Sequence, residues 1–153
     1  MTDTITVRRA TVDDVELIAP LFDAYRQFYR ANADLSLART FLRERLEKNE
    51  SIIFIALLAD GTATGFTQLY PTFSSVSMAP ILTLNDLFVS QAARRLGVGK
   101  ALLNAAADYG RANGAVRLSL RTENHNITAQ ALYEQEGWKR ETQFYSYDLS
   151  LGG

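Results

Sequence analysis

Cysteine is absent from the 153 residues, so the fold has no disulfide, no thiolate metal site and no cysteine nucleophile. Histidine occurs once, at His125, which excludes an all-histidine metal site within one chain and leaves only carboxylate-based sites open. Neither sign of charge is in excess. Sixteen Lys and Arg against 17 Asp and Glu leave a net charge of −1, whereas a nucleic-acid binder normally carries a basic surplus. Long apolar runs are missing too: the longest, Ile52–Ala59, falls far short of the roughly 20 residues that span a bilayer. The opening MTDTITVRRA lacks the charged-then-apolar layout of a secretory signal. No linker, repeat or low-complexity stretch divides the chain. The expectation is one cytoplasmic domain over residues 1–153, with no membrane and no nucleic-acid partner.

What is present is an alternation of strand and helix patterns. Ile5 and Val7 alternate with polar neighbours as a first strand. Thr11 opens a T-x-x-D pattern with Asp14, a capping-box signature. Val12, Val15, Ile18, Phe22, Tyr25 and Tyr29 follow at helical spacing, with a kink or break expected near Ile18–Ala19 because of Pro20. A second helix is predicted from about Ser36 to Glu47. Ile52–Leu58 reads as an apolar strand, Asp60-Gly61 as a hairpin turn, and Ala63–Tyr70 as the return strand stopping at Pro71. Thr72–Ala79 reads as a loop and Ile81–Val89 as the next strand.

A glycine-bearing turn at Arg94-Arg95-Leu96-Gly97-Val98-Gly99-Lys100 then opens a helix. Val98, Leu102, Ala105, Ala106 and Tyr109 form its stripe, and Asn113-Gly114 ends it. Val116, Leu118 and Leu120 alternate as a strand. Ile127–Glu136 is a helix stopped by Gly137, and a final strand carries Phe144, Tyr145 and Tyr147. The order predicts an α/β protein with a mixed sheet covered by helices.

The Arg94–Lys100 turn is the most informative stretch. A helix start leaves about four amides unpaired and carries partial positive charge, so it attracts an anion. Gly97 and Gly99 let backbone approach a ligand closely, and three cations cluster around them. The same residues could equally form a plain turn with a solvated basic face, since G-x-G alone is a weak signal. The third glycine of a dinucleotide fingerprint is replaced by Leu102, and no G-x-x-x-x-G-K is present.

R-x-x-G-x-G at Arg94–Gly99, after a strand reading L-N-D-L-F-V, resembles the acetyl-CoA motif of the GNAT acetyltransferase superfamily. N-x-x-A-x-x-L-Y-x-x-x-G-W at Asn126–Trp138 resembles the family's second block, in the family's order. The resemblance implies a GNAT fold with about six to seven strands and about four helices, splayed at the acetyl-CoA site. It also implies that Leu87, Phe88 and Val89 pair with the pantetheine arm. The backbone of Arg94, Arg95, Leu96, Gly97, Val98, Gly99 and Lys100 would cradle the pyrophosphate, with Asn126 and Ala129 beside the arm. Leu82, Leu84 and Asp86 are read as sharing one face, and a bulge is expected where the alternation slips at Leu87-Phe88-Val89.

In the superfamily, the tyrosine matching Tyr133 often protonates the departing thiolate. A phenol of pKa about 10 and a thiol of about 8.5 make that transfer feasible. The amine must also lose a proton. Asp86 is read as its base, as the group that binds the substrate cation, or as a cap of local backbone. Glu123 and a water relay are alternatives to it. Polyamine acetyltransferases resemble this strand but carry glutamate where this chain has Asn85. His125 reads as a cap or surface group and Trp138 as core, while Tyr70, Phe73 and Met78 are candidates for an acceptor pocket.

F-D-A-Y-R-Q-F-Y at Phe22–Tyr29 looks most like the small-molecule and polyamine branch. The implied activity is acetyl transfer from acetyl-CoA to a primary amine of a small molecule (polyamine-like, amino acid or similar) or to a lysine side chain, in a ternary complex, without a metal, by a homodimer. A non-catalytic acetyl-CoA-binding sensor is the alternative, and the presence of Tyr133 argues for the enzyme.

Overall fold

In a computed structural model of the chain, residues 4–153 are described. Residues 1–3, the start of the segment read as lacking a secretory signal, lie outside them. The chain divides into two compact units, Met1–Arg121 and Thr122–Gly153.

The first unit begins with β1 (Ile5–Arg9) and a 3-10 turn at Val12–Asp14. The expected capping box is present. Thr11 Oγ1 accepts from Asp13 N at 3.3 Å, and Asp14 accepts from Thr11 N at 2.8 Å. Arg8 grips the same carboxylate with both guanidinium nitrogens, at 2.9 and 2.8 Å, which ties β1 to the helix start and holds the Asp14 pKa below its ordinary value. Helix α1 (Val15–Phe28) then runs unbroken through Pro20, so of the kink or break expected near Ile18–Ala19 the break is not formed. Proline at this position removes only the bond to Glu16, whose carbonyl lies in the first turn. Helix α2 (Leu35–Glu47) is capped by Asp34, whose side chain accepts from Leu37 N.

The sheet follows as β2 (Ile52–Leu58), β3 (Ala63–Ser74), β4 (Ala79–Val89) and β5 (Leu118–Ser119), in the order β1-β2-β3-β4-β5. The first four strands are antiparallel neighbours, and β5 joins β4 in parallel. Asp60-Gly61 forms the expected hairpin, with Gly61 at φ 88°.

Strand β3 does not stop at Pro71; it continues to Ser74, so the loop expected from Thr72 shrinks to a short turn before β4. Pairing with β2 ends at Ile52↔Leu69. Pro71 therefore lies where β3 is paired on one side only, and a missing N–H costs the sheet nothing on the other.

Helix α3 (Val98–Ala112) closes the opposite face. Phe66 packs in the cluster formed with α1 and α2, whereas Ala56, Val98 and Leu102 belong to the cluster on the α3 side. Gly65 marks the tightest approach between them. A Cβ there would meet the Phe88 carbonyl oxygen at 2.7 Å and Val98 Cγ1 at 3.0 Å.

The second unit holds α4 (Ile127–Gln135), ended by Gly137 at φ 94°. The final strand expected around Phe144, Tyr145 and Tyr147 is not formed: residues 139–153 carry no regular element among the described residues. The described sheet thus has five strands rather than the expected six to seven, with four α-helices. An alternating apolar pattern specifies a strand only when a neighbour supplies the ladder and buries one face, and these rings are 77%, 90% and 91% exposed. Trp138, expected in the core, is only partly buried. No helix of the described residues is long and apolar enough to cross a membrane.

Gly65→Ala should destabilise the chain by about 1–3 kcal/mol through forced separation of β3 and β4. Thermal or urea unfolding of the variant beside wild type measures it, and an unchanged midpoint would contradict the packing described here.

Candidate active site

The register of β3 against β4 decides where the one acidic side chain of β4 points. Leu84 opposes Leu69 and Asp86 opposes Gln68, so Asn85 is an extra residue without an opposite number. Opposed residues share a face of the sheet. Gly65, next to Val98 and Leu102, puts Leu69 and hence Leu84 on the α3 side. Asp86 lies on the other side, lining a cavity of about 250 Å³ with Phe22, Tyr25 and Phe41 from α1 and α2 and Tyr70 from β3. The expectation that Leu82, Leu84 and Asp86 share a face is thereby corrected. The expected bulge exists, but it lies at Asn85, just ahead of Leu87-Phe88-Val89, and reverses the alternation.

Asp86 is 3% exposed. One oxygen accepts from Gln68 Nε2 at 2.5 Å and the other from Asn85 Nδ2 at 2.9 Å. Burial pushes the Asp86 pKa up, and hydrogen bonds from Gln68, Asn85 and Tyr25 only partly oppose it. Tyr70 is raised to about 12, chiefly by burial and then by the Asp86 charge. Tyr25 Oη donates to the Asn85 carbonyl at 3.1 Å, which pins the bulge to α1. Of the side chains expected around an acceptor, Tyr70 lines this cavity. Phe73 and Met78 are 77% and 91% exposed and do not.

Beyond the bulge, β4 is paired on one side only. The parallel pairing with β5 covers just Leu82↔Leu118 and Thr83↔Ser119, so the sheet opens along Leu84–Val89 among the described residues. Leu87 and Val89 pack with Ala93, Val98 and Leu102, while Phe88 turns to the α1–α2 side. The same cluster therefore joins the open strand to the start of α3.

That helix start is built for an anion. Arg95 and Gly97 both take positive φ, 72° and 80°, turning successive amides into a shallow nest. No side chain caps α3, and nothing lies within 4 Å of a Cβ placed on Gly97. Arg94, Arg95, Leu96, Gly97 and Lys100 are exposed, whereas Val98 is buried and anchors the turn. Uncapped amides, an open backbone and three cations fit a diphosphate.

Asn126, Ala129 and Tyr133 belong to the second unit. Asn126 Oδ1 accepts from Ala129 N at 3.2 Å and so caps α4. The Tyr133 ring stands 6.1 Å from Trp138 at 51° and is partly buried. His125 is exposed and lies 3.9 Å from Glu123.

The profile of the Acetyltransferase (GNAT) family matches residues 18–138. The chain belongs to this family. GNAT members are acetyl-CoA-dependent acyltransferases, and this chain is accordingly an N-acetyltransferase. It is 52% identical to the uncharacterized N-acetyltransferase YhfO of Bacillus subtilis (strain 168) over 147 residues, covering 96% of this chain and 98% of that one. A crystal structure of a probable acetyltransferase superposes with a TM-score of 0.92 at 38% identity, covering 97% of this chain and 99% of the other. The aminoglycoside N-acetyltransferase AAC(6')-Iy, solved in complex with CoA, shares the fold, with a TM-score of 0.81 at 20% identity and 97% of each chain covered.

For this GNAT enzyme, several residues around Asp86 escaped sequence reasoning. Gln68 is fully buried, and its Oε1 has no partner among the described residues. A glutamine inside the apolar run Gly65–Tyr70 was the available signal. Arg26, on the charged side of an otherwise ordinary helix, carried none.

Because burial raises the Asp86 pKa, at pH values between the unfolded pKa and the raised one the folded chain holds a proton there that the unfolded chain has released. This contribution to stability is complete below the unfolded pKa and is lost as pH rises through the raised value. Asp86→Asn should therefore gain in melting temperature relative to wild type between pH 4 and pH 8. Differential scanning calorimetry across that window reads the trend, and a flat difference would mean that the carboxylate is not desolvated.

Proposed function

We propose that this chain, as one GNAT domain, moves the acetyl group of acetyl-CoA to the primary amine of a small molecule in a direct ternary complex. The observation that carries the reading is the buried carboxylate of Asp86 at the floor of an aromatic cavity, on the strand that leads into the α3 cradle. A family match across residues 18–138 supports a single domain.

Acetyl-CoA, when bound, supplies the acetyl thioester. The backbone of Arg94–Lys100 holds its pyrophosphate, and the open edge of Leu87, Phe88 and Val89 takes the pantetheine arm as an added strand. Asn126 and Ala129 at the start of α4 are assigned to the same arm. The mechanism routes no step through a metal.

Asp86 receives the acceptor's ammonium. A desolvated carboxylate with a raised pKa is a better proton acceptor than one in water, and the aromatic walls favour a cation in front of it. Removal of one proton leaves a neutral amine able to attack, and the second proton, lost as the amide forms, makes good the one that Tyr133 gives to sulfur. Tyr133 donates the proton that the departing thiolate requires, since a phenol lies within about two pKa units of a thiol.

The cavity volume of about 250 Å³ favours a compact acceptor, because drug-sized ligands fill clefts of about 300–1,000 Å³. We also propose a cytoplasmic homodimer. The apolar side chains of Tyr145, Tyr147, Leu149 and Leu151, 84–91% exposed, support an association surface.

A panel of primary amines incubated with acetyl-CoA, followed by free-thiol release, tests the reading. At least one small amine should be acetylated, and Tyr133→Phe should lower kcat about 100-fold or more with little change in the KM for acetyl-CoA. Full turnover in the variant would remove the acid assignment. Stabilisation by acetyl-CoA without transfer to any amine would leave the sensor reading in its place.

A further inference from the structure

The cavity that holds Asp86 contains a second formal charge of opposite sign, Arg26. The two do not neutralise each other. Asp86 is satisfied by Gln68 and Asn85. Arg26 donates from Nη1 to the Asn32 carbonyl at 2.9 Å and lies 3.9 Å from Asp23. Asp23 is itself engaged, accepting from Asp34 N and from Gln27 Nε2. Both Arg26 contacts run through Nη1, so the guanidinium fork keeps donors for another acceptor, and its side chain is 32% exposed.

Around Asp86 and Arg26 the cavity is lined mainly by aromatic and aliphatic side chains, Phe22, Tyr25, Phe41 and Leu37 among them. Opposite charges lining one apolar-walled cavity, each held by its own partners, describe the complement of a small molecule that carries both an ammonium and an anion. A polyamine fits less well, because a second ammonium near Arg26 would meet a like charge. A planar guanidinium favours a carboxylate, which it engages with parallel hydrogen bonds.

We propose that the acceptor is a zwitterion of the amino-acid type, its ammonium on Asp86 and its carboxylate on Arg26. This rests on the acetyl-transfer reading above, and makes Arg26 a specificity-determining residue in place of any acidic subsite. The acetylated product would lose its positive charge and keep its carboxylate. It would then hold to Arg26 alone, which favours release.

The test compares matched pairs: an amino acid and the amine left by its decarboxylation, such as leucine with isoamylamine and lysine with cadaverine. ω-Amino acids of increasing length report the charge separation. Wild type should favour the acid member by about tenfold or more in kcat/KM, the size of one charge-assisted contact. Arg26→Gln should bring the ratio close to one through a rise in the KM of the acid, and Arg26→Lys should restore part of it. A variant that only loosened the α1–α2 turn would depress both members alike.

Cadaverine turned over as well as lysine, or a ratio that Arg26→Gln leaves intact, would overturn the proposal while leaving acetyl transfer standing. Calorimetric binding separates the opposite case. Amino acids that bind ahead of their amines through Arg26, yet are never acetylated, would overturn the transfer reading and keep the zwitterion site.

Discussion

A single unmatched residue in β4 is the constraint on which the rest of the site depends. Side chains on a strand alternate strictly, so without Asn85 as a bulge Asp86 would stay on the face of Leu84 and be buried against α3. The bulge turns the carboxylate towards α1 and α2, where it meets Gln68, Asn85 and the aromatic walls. It leaves Leu87 and Val89 on the α3 side, where they support the cradle helix. The hydrogen bond from Tyr25 to the Asn85 carbonyl ties this distortion to α1. The placement of Asp86 and that of the open strand edge at Leu87–Val89 are thus products of one local event.

Burying Asp86 costs free energy that nothing in the core refunds fully. Two amide donors satisfy its oxygens, but no cation is paired with it, and the fully buried Gln68 is left with an unpartnered oxygen. A chain selected for stability alone would place an apolar side chain there. In the proposed function, a carboxylate held ready for an incoming ammonium accounts for the less stable arrangement. The same logic applies to α3, whose first amides lack the side-chain cap that serves the 3-10 turn before α1 and the starts of α2 and α4.

Much of the fold was legible because it rests on short-range rules. The capping box at Thr11–Asp14, the Asp60-Gly61 turn, the α2 and α3 periodicities and the glycine stops follow from backbone sterics and burial on one helix face. Of the readings that failed, that of Pro20 turns on its place in the helix, and the others on a distant neighbour that outweighs local preference. Pro20 sits inside α1 because the bond it removes belongs to the first turn. Pro71 sits inside β3 because β2 ends before reaching it. The alternating run after Phe144 forms no strand because no described neighbour pairs with it.

The sequence by itself determined the class of chemistry. A glycine turn with three cations after an apolar strand, and the Asn126–Trp138 block, are local patterns whose amides and side chains act through positions a few residues apart. Tertiary structure alone decided the surroundings of Asp86. Asp86, Arg26, Gln68 and Tyr70 come from three separate elements, and their meeting depends on register, on the Asn85 bulge and on how α1 and α2 lie over the sheet. Spacing along a chain carries no record of which face a bulged strand presents, because one added residue reverses every side chain beyond it.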